Sequence, residues 1–337
     1  MRVGIVYDRF GDAPAPAEAP PDWDAEYEPE ETVAAIEAAL RHLGHTPVRL
    51  GNVPALLDAI RRGPLGVDAA VNIAESYGSR NREAHAPVLL ELAGVPTLGS
   101  DALALSVSLD KHLTKIVAAS VGVAVPRGDI VRTEADAASV DVSFPAFVKP
   151  RYEGTAKGIG PQSRCETRPA LVAEAVRQLA LYRQDLVVEA FVPGAEYTVA
   201  VLGTGPEAEA LPVMPRAVER ETGIGLHALE RHEDPARPFA YDVPGALTPR
   251  LEARLQADAL AVHRALDCRD FSRSDFRVPL VPEAEPVFIE INPLPTFAPD
   301  GTFAILAEMV GTPYEAFLAD VLARGMDRLG GRRGAVS

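Results

Sequence analysis

Arg273-Ser274-Asp275-Phe276-Arg277-Val278 and Val287-Phe288-Ile289-Glu290-Ile291-Asn292 flank a short segment rich in proline and acid. Both stretches alternate apolar and polar residues, so residues 274–281 are expected to pair with 287–291 as a β-hairpin. Strand side chains alternate faces, which puts Glu290 and Asn292 on one face and Ile289 and Ile291 on the other. A turn centred on residues 282–286 sets Asp275 opposite Asn292, with Arg273 and Arg277 on the same face. That face then carries carboxylates, an amide oxygen and guanidinium groups. Oxygen donors of this kind suit Mg2+, which takes one or two carboxylates and fills its shell with water and nucleotide phosphates. A surface salt-bridge ladder, with Arg277 pairing to Glu290, is the other reading, and the hairpin alone leaves both open.

Upstream, residues 144–148 read as a short buried strand running into Lys149-Pro150. Arg151-Tyr152-Glu153-Gly154-Thr155-Ala156-Lys157-Gly158-Ile159-Gly160 follows. Glycines and a hydroxyl in so short a run give a loop whose amides and lysines can fold over phosphates. It is not a Walker A sequence, and ordinary hairpins look similar. Next come a helix over 169–181, opened by Thr167 and Pro169, and strands over 186–191 and 197–202 about the turn Pro193-Gly194. Residues 215–245 are rich in charge, Gly and Pro without a period, and a loop that long inside a compact enzyme is more often functional than idle. Thr248 and Pro249 open a helix with Leu251, Leu255, Val262 and Leu266 on its apolar face, and two further helices follow the hairpin.

Toward the other end, Met1-Arg2-Val3-Gly4-Ile5-Val6-Tyr7-Asp8 reads as a buried strand, too short an apolar run for a signal peptide. Residues 11–29 read as an exposed, acidic, proline-rich loop. A helix with Val33, Ile36, Leu40 and Leu43 ends at Gly44. Strands near 47–50 and 67–73, and a helix over 86–93, complete a β-α-β order that implies a parallel sheet covered by helices. Its ligand edge is expected beyond the strand ends, near residues 7–9 and 72–77. A new module begins near Asp101, with a helix over 110–121.

With 337 residues the chain exceeds one ordinary domain, and a 47% hydrophobic fraction supports real cores. A net charge of -15 argues against a nucleic-acid partner and weakly against anionic membranes. Cys165 and Cys268 make neither a disulfide framework nor a metal-like spacing. No run approaches a membrane span, so a cytoplasmic location is expected.

Four motifs in one order resemble the D-alanine–D-alanine ligase branch of the ATP-grasp superfamily. They are Leu90-Glu91-Leu92-Ala93-Gly94-Val95-Pro96 with Asp110-Lys111; Lys149-Pro150 with Glu153-Gly154-Thr155; Val187-Val188-Glu189-Ala190-Phe191-Val192-Pro193-Gly194-Ala195-Glu196-Tyr197; and Asp275 with Glu290-Ile291-Asn292-Pro293. The resemblance implies an α/β (α+β), three-domain ATP-grasp architecture. Its parts would be an N-terminal parallel-sheet domain over 1–104, a small subdomain with the phosphate lid over 105–190, and a subdomain with the metal site over 191–330. It implies ATP with Mg2+ (or Mn2+), an acyl-phosphate route joining a carboxylate to an amine, amino-acid or amine substrates, and a homodimer as the family's common assembly. Lys111 and Lys149 would contact phosphates, Lys149 also lying near the adenine. Glu189 would accept from the adenine amino group, with Phe191 and Val192 beside the base, and Glu196 would hold the ribose hydroxyls. Glu153, Gly154, Thr155 and Lys157 would form the lid; Asp275, Glu290 and Asn292 would hold the metal; Arg273 would stabilise the acyl phosphate. Outside that context Glu189 and Glu196 read equally as solvated strand residues, Lys111 as a surface lysine, and His227 and His232 as solvated.

The departures lie on the substrate side. The family's His-Gly…Gly-Glu-Asp-Gly segment is Asn72-Ile73-Ala74-Glu75-Ser76-Tyr77-Gly78-Ser79-Arg80-Asn81-Arg82-Glu83-Ala84-His85 here, and residues 11–29 stand where the family has a Glu-x-Glu run. The tyrosines of its catalytic loop are missing from 215–241, which offers Arg216, Arg220, His227, Arg231 and His232. The expected function is therefore a ligase for a different amino-acid or peptide-like pair; alternatives are a genuine D-alanine–D-alanine ligase and a non-catalytic ATP-binding module.

Overall fold

The computed structural model describes residues 1–225 and 240–333. His227, Arg231, His232 and much of the 215–245 loop lie outside the described residues.

The chain begins with a parallel sheet in the order β2-β1-β3-β4, as the β-α-β pattern predicts. Its elements are β1 (Arg2–Tyr7), α1 (Glu30–His42), β2 (Thr46–Gly51), α2 (Val53–Arg62), β3 (Ala69–Ile73), α3 (His85–Leu92) and β4 (Thr97–Leu98). Helix α1 buries Val33, Ile36 and Leu40 at helical spacing against one face of the sheet. Helices α2 and α3 cover the other face through Leu56, Ala86 and Leu90. Helix α2, which the sequence reading passed over, carries Val53, Leu56 and Ile60 at helical spacing toward this core, and Asn52 caps it by accepting the Ala55 N–H at 3.1 Å.

Helices α4 (Ala102–Leu109) and α5 (Lys111–Ser120) follow, with Asp110 capping α5 by accepting from the His112 and Leu113 amides. An antiparallel sheet in the order β5-β8-β6-β7 comes next. It consists of β5 (Gly128–Val131), β6 (Ala146–Pro150), β7 (Arg164–Cys165) and β8 (Leu186–Ala190), backed by α6 (Glu134–Ser139) and α7 (Arg168–Tyr182). The remaining sheet has the order β10-β9-β14-β15, with β11 also on β9. Its strands are β9 (Ala195–Leu202), β10 (Glu209–Ala210), β11 (Met214–Arg216), β14 (Phe271–Val278) and β15 (Val287–Asn292). The short strands β12 (Val218–Glu219) and β13 (Tyr241–Asp242) pair separately, and α8 (Pro249–Ala265) packs beneath through Leu255, Ala259 and Val262. Helices α9 (Thr302–Met309) and α10 (Tyr314–Arg333) return to the first sheet, where Phe303, Leu306 and Leu318 share one core with Ile5 and Ile36.

The structure corrects the sequence reading in two places. The hairpin register is offset: Arg273 faces Asn292 and Asp275 faces Glu290, and the ladder then skips Ile289 so that Phe276 meets Phe288. A β-bulge of this kind lets a strand bend while both phenylalanines stay in the core. The 11–29 segment is exposed only in its first part; Pro20, Glu26 and Glu28 are buried.

Candidate active site

Strand pairing assembles the site. Across β6 and β8, Phe147 stands opposite Glu189, and Lys149 lies two residues along on the same face. Across β9 and β14, Glu196 stands opposite Arg277 and Thr198 opposite Asp275; Arg216 of β11 stands opposite Glu196. One cavity lies between these two faces. Its lining includes Lys111, Lys149, Glu153, Thr155, Lys157, Glu189, Phe191, Val192, Glu196, Arg273, Asp275 and Glu290. Gly154 and Asn292 are outside that lining; Asn292 Oδ1 accepts the Leu294 N–H at 2.8 Å.

The cavity has two chemical ends. Phe147, Ala156, Ile159, Phe191 and Ile224 make an apolar slot, and the Arg164 and Arg277 guanidiniums lie 4.8 and 5.1 Å from the Phe191 ring centroid. The other end gathers Lys111, Lys149 and Arg273 near Asp275 and Glu290. Lys111 Nζ lies 2.8 Å from Glu290 Oε2, Lys149 Nζ 2.8 Å from Glu189 Oε1, and Arg273 Nη2 3.3 Å from Asp275 Oδ2. Thr198 donates to Asp275 Oδ1 at 2.6 Å. Burial disfavours a charge on Glu290, but Lys111 and Lys149 outweigh it and hold the carboxyl at about 2.

Sequence reasoning missed Lys115, which is buried and pairs with Glu189. Its place four residues after Lys111 on one helix was the available signal. Burial pulls the Lys115 ammonium down to about 8, with Glu189 opposing. Glu189, paired with Lys115 and Lys149, and Lys111, paired with Glu290, are accordingly buried ions and not solvated surface groups. Arg277 pairs with Glu196 at 3.0 Å, not with Glu290. It also donates to the Gly194 and Gly223 carbonyls, which ties the 222–225 segment over the apolar slot. Arg220 is held by Asp242 at 2.7 and 2.8 Å.

Beside the cavity lies a second charged cluster that sequence reasoning also missed. Arg82, 2% exposed, donates to both Glu26 oxygens at 2.7 and 2.8 Å, and Lys157 Nζ reaches Glu26 Oε2 at 2.8 Å and also pairs with Glu153. Glu83 packs against Arg82, with its carboxyl pushed up to about 7 chiefly by burial. Glu26-Tyr27-Glu28 is itself a Glu-x-Glu sequence ahead of α1. Glu28 accepts from the Thr32 and Thr296 hydroxyls at 2.8 and 2.9 Å.

Two solved structures share this arrangement of sheets. The ATP complex of D-alanine–D-alanine ligase from Bacillus anthracis aligns with a TM-score of 0.68 at 19% identity over 97% of each chain. VanG D-Ala:D-Ser ligase from Enterococcus faecalis aligns with 0.70 at 17% identity over 96% of this chain and 99% of that one. The fold is that of the ATP-grasp ligases. A family model described as D-ala D-ala ligase C-terminus matches residues 122–323. D-alanine–D-alanine ligase of Cupriavidus necator is 32% identical over 237 residues, 70% of this chain and 69% of that one. The uncharacterized protein y4sG of Sinorhizobium fredii is 30% identical over 96% of each chain. The chain belongs to the D-alanine–D-alanine ligase family and is an enzyme of the ligase class. No helix among the described residues is long and apolar enough to cross a membrane.

Proposed function

We propose that the protein joins a carboxylate to an amine at the expense of ATP, with an amino-acid or peptide-like pair other than two D-alanines. The observation that carries this reading is the cavity itself, an apolar slot continuous with a cluster of lysines, Arg273 and two opposed carboxylates. Phe147, Phe191 and Ile224 suit a nucleobase, Glu196 a ribose, and Lys111, Lys149 and the Thr155–Ala156 turn a polyphosphate. Among the described residues Arg273 Nε is buried with no hydrogen-bond partner, a donor suited to an anion.

Asp275 and Glu290 fit a magnesium ion, which would supply charge neutralisation between the phosphates. Asn292, on the same face, is the third candidate ligand. In the reaction proposed, a substrate carboxylate oxygen attacks the γ-phosphorus of ATP and ADP leaves. The amine nitrogen then attacks the acyl carbon, phosphate departs and the amine loses a proton. Negative charge spreads over oxygens in both steps, and Arg273, Lys111 and Lys149 are fixed in advance to stabilise it. Buried Lys115 holds Glu189 in place, and through it Lys149.

The test is phosphate release with ATP and Mg2+ against amino acids, amines and dipeptides, singly and in pairs. Release that depends on a pair supports the ligase; tight nucleotide binding with no turnover for any pair would favour a non-catalytic ATP-binding module.

A further inference from the structure

Residues 20–28, the inner part of the insertion between β1 and α1, run along the back of the 153–159 loop. Glu26 Oε1 accepts the Gly154 N–H at 2.6 Å and Asp22 Oδ2 accepts the Gly158 N–H at 2.9 Å. Tyr182 at the end of α7 donates its hydroxyl to Asp22 at 2.7 Å, and Lys157 is held by Glu26 and Glu153. The backbone is shaped for these contacts. A Cβ on Gly154 would lie 2.5 Å from Glu26 Oε1, and one on Gly158 would lie 2.6 Å from Pro150 and 2.9 Å from Tyr182. Thr155 and Ala156, between the two anchored glycines, take left-handed φ values of 45° and 57° and line the cavity.

We propose that this segment is a built-in clasp: Glu26 and Asp22 grip the two ends of the 153–159 loop from behind and hold its tip shaped for phosphate before nucleotide arrives. Glu26 is thereby a positioning residue, one that never touches the nucleotide. A glycine-rich loop loses much conformational freedom when it orders, and a loop already ordered spares the ligand that cost. Burial works against a charged Glu26, but Arg82 and Lys157 dominate and hold its carboxyl at about 2, so the grip persists at any ordinary pH. The inference deepens the nucleotide reading given above and rests on it only for what the loop tip receives.

Hydrogen exchange on the full chain without nucleotide tests the clasp directly. In Glu26→Gln, amides of residues 153–160 should exchange about tenfold faster or more, while those of β6 and α7 stay protected. Asp22→Ala, at a partly exposed position, should loosen the 158 end and serves if Glu26→Gln folds poorly. Affinity for magnesium with a non-hydrolysable ATP analogue should fall about tenfold in either variant, and in turnover the loss should appear in KM for ATP far more than in kcat. Unchanged exchange in the loop would overturn the clasp. So would tighter analogue binding, since the carboxylates would then be competitors of phosphate. Wild-type protein that fails to bind the analogue would defeat the proposed function, while the exchange comparison would still decide the clasp.

Discussion

Asp275 stands directly across the β14–β15 pair from Glu290, and the neighbouring Arg273–Asn292 pair faces the same way. Opposite residues of an antiparallel pair share a face, so backbone hydrogen bonds alone bring these two carboxylates together. Lys111 then reaches Glu290 from another element, α5.

Glu290→Gln should leave the fold intact, because it removes charge without opening a cavity. Turnover with any productive substrate pair should fall by about 100-fold or more, since the pair with Asp275 is lost as an anionic site. Near-normal turnover in a folded variant would remove Glu290 from the metal assignment.

Arg277→Met should be costly in a different way. The 3.0 Å pair joins buried Arg277 to a partly exposed Glu196, and removing the cation leaves that carboxylate without its partner, at about 2 kcal/mol of stability. Adding Glu196→Gln should recover part of that loss. A double-mutant cycle from urea midpoints measures the coupling, and strictly additive losses would show that the two side chains do not support each other.

Stability should carry a pH signature from Glu83. Its folded value of about 7 exceeds the ordinary 4.5, burial being the main cause and Arg82 opposing. Between those values the folded chain keeps a proton that the unfolded chain has released. The contribution is full below 4.5 and is lost as pH rises through 7. Glu83→Gln, neutral throughout, should therefore gain on wild type between pH 5 and pH 8 by on the order of 2 kcal/mol. Parallel curves for the two proteins would contradict this.

D-alanine alone should not give the highest kcat/KM in ADP formation. Glu75, Arg82 and Glu83 stand where the family's His-Gly segment is expected, and the described part of the 215–245 loop offers Arg216 to the cavity while Arg220 is held by Asp242. A site that presents the Arg216 guanidinium rejects molecules that leave it unpaired. A panel of amino acids and dipeptides decides it, and D-alanine at the top of that panel would make the altered residues neutral drift.

The chemistry of the hairpin face was legible because alternation alone sorts Asp275 and Glu290 from Phe276 and Ile291. Its register was not, since the skipped Ile289 answers to Phe276 and Phe288 packing over α8, a constraint outside the hairpin. Lys149 and Glu189 were found by motif, yet Lys115, the second cation on Glu189, takes its place only when α5 meets β8. The insertion shows the limit most clearly. Its proline and acid content reads as solvated loop, and nothing local marks Glu26 as the partner of Lys157, 131 residues away.

The core shared by β1, β3 and α1 with Phe303, Leu318 and Leu322 has a consequence for biogenesis. On the ribosome, residues 1–98 emerge with one sheet face covered by α1 alone, because α9 and α10, which complete that cover, are not yet synthesised. At about 5–20 residues per second, the more than two hundred residues between that sheet and α10 take roughly ten to fifty seconds to appear. Throughout that interval the nascent sheet is a sticky surface, so chaperone engagement during translation should concentrate there and be relieved only once α10 has left the exit tunnel.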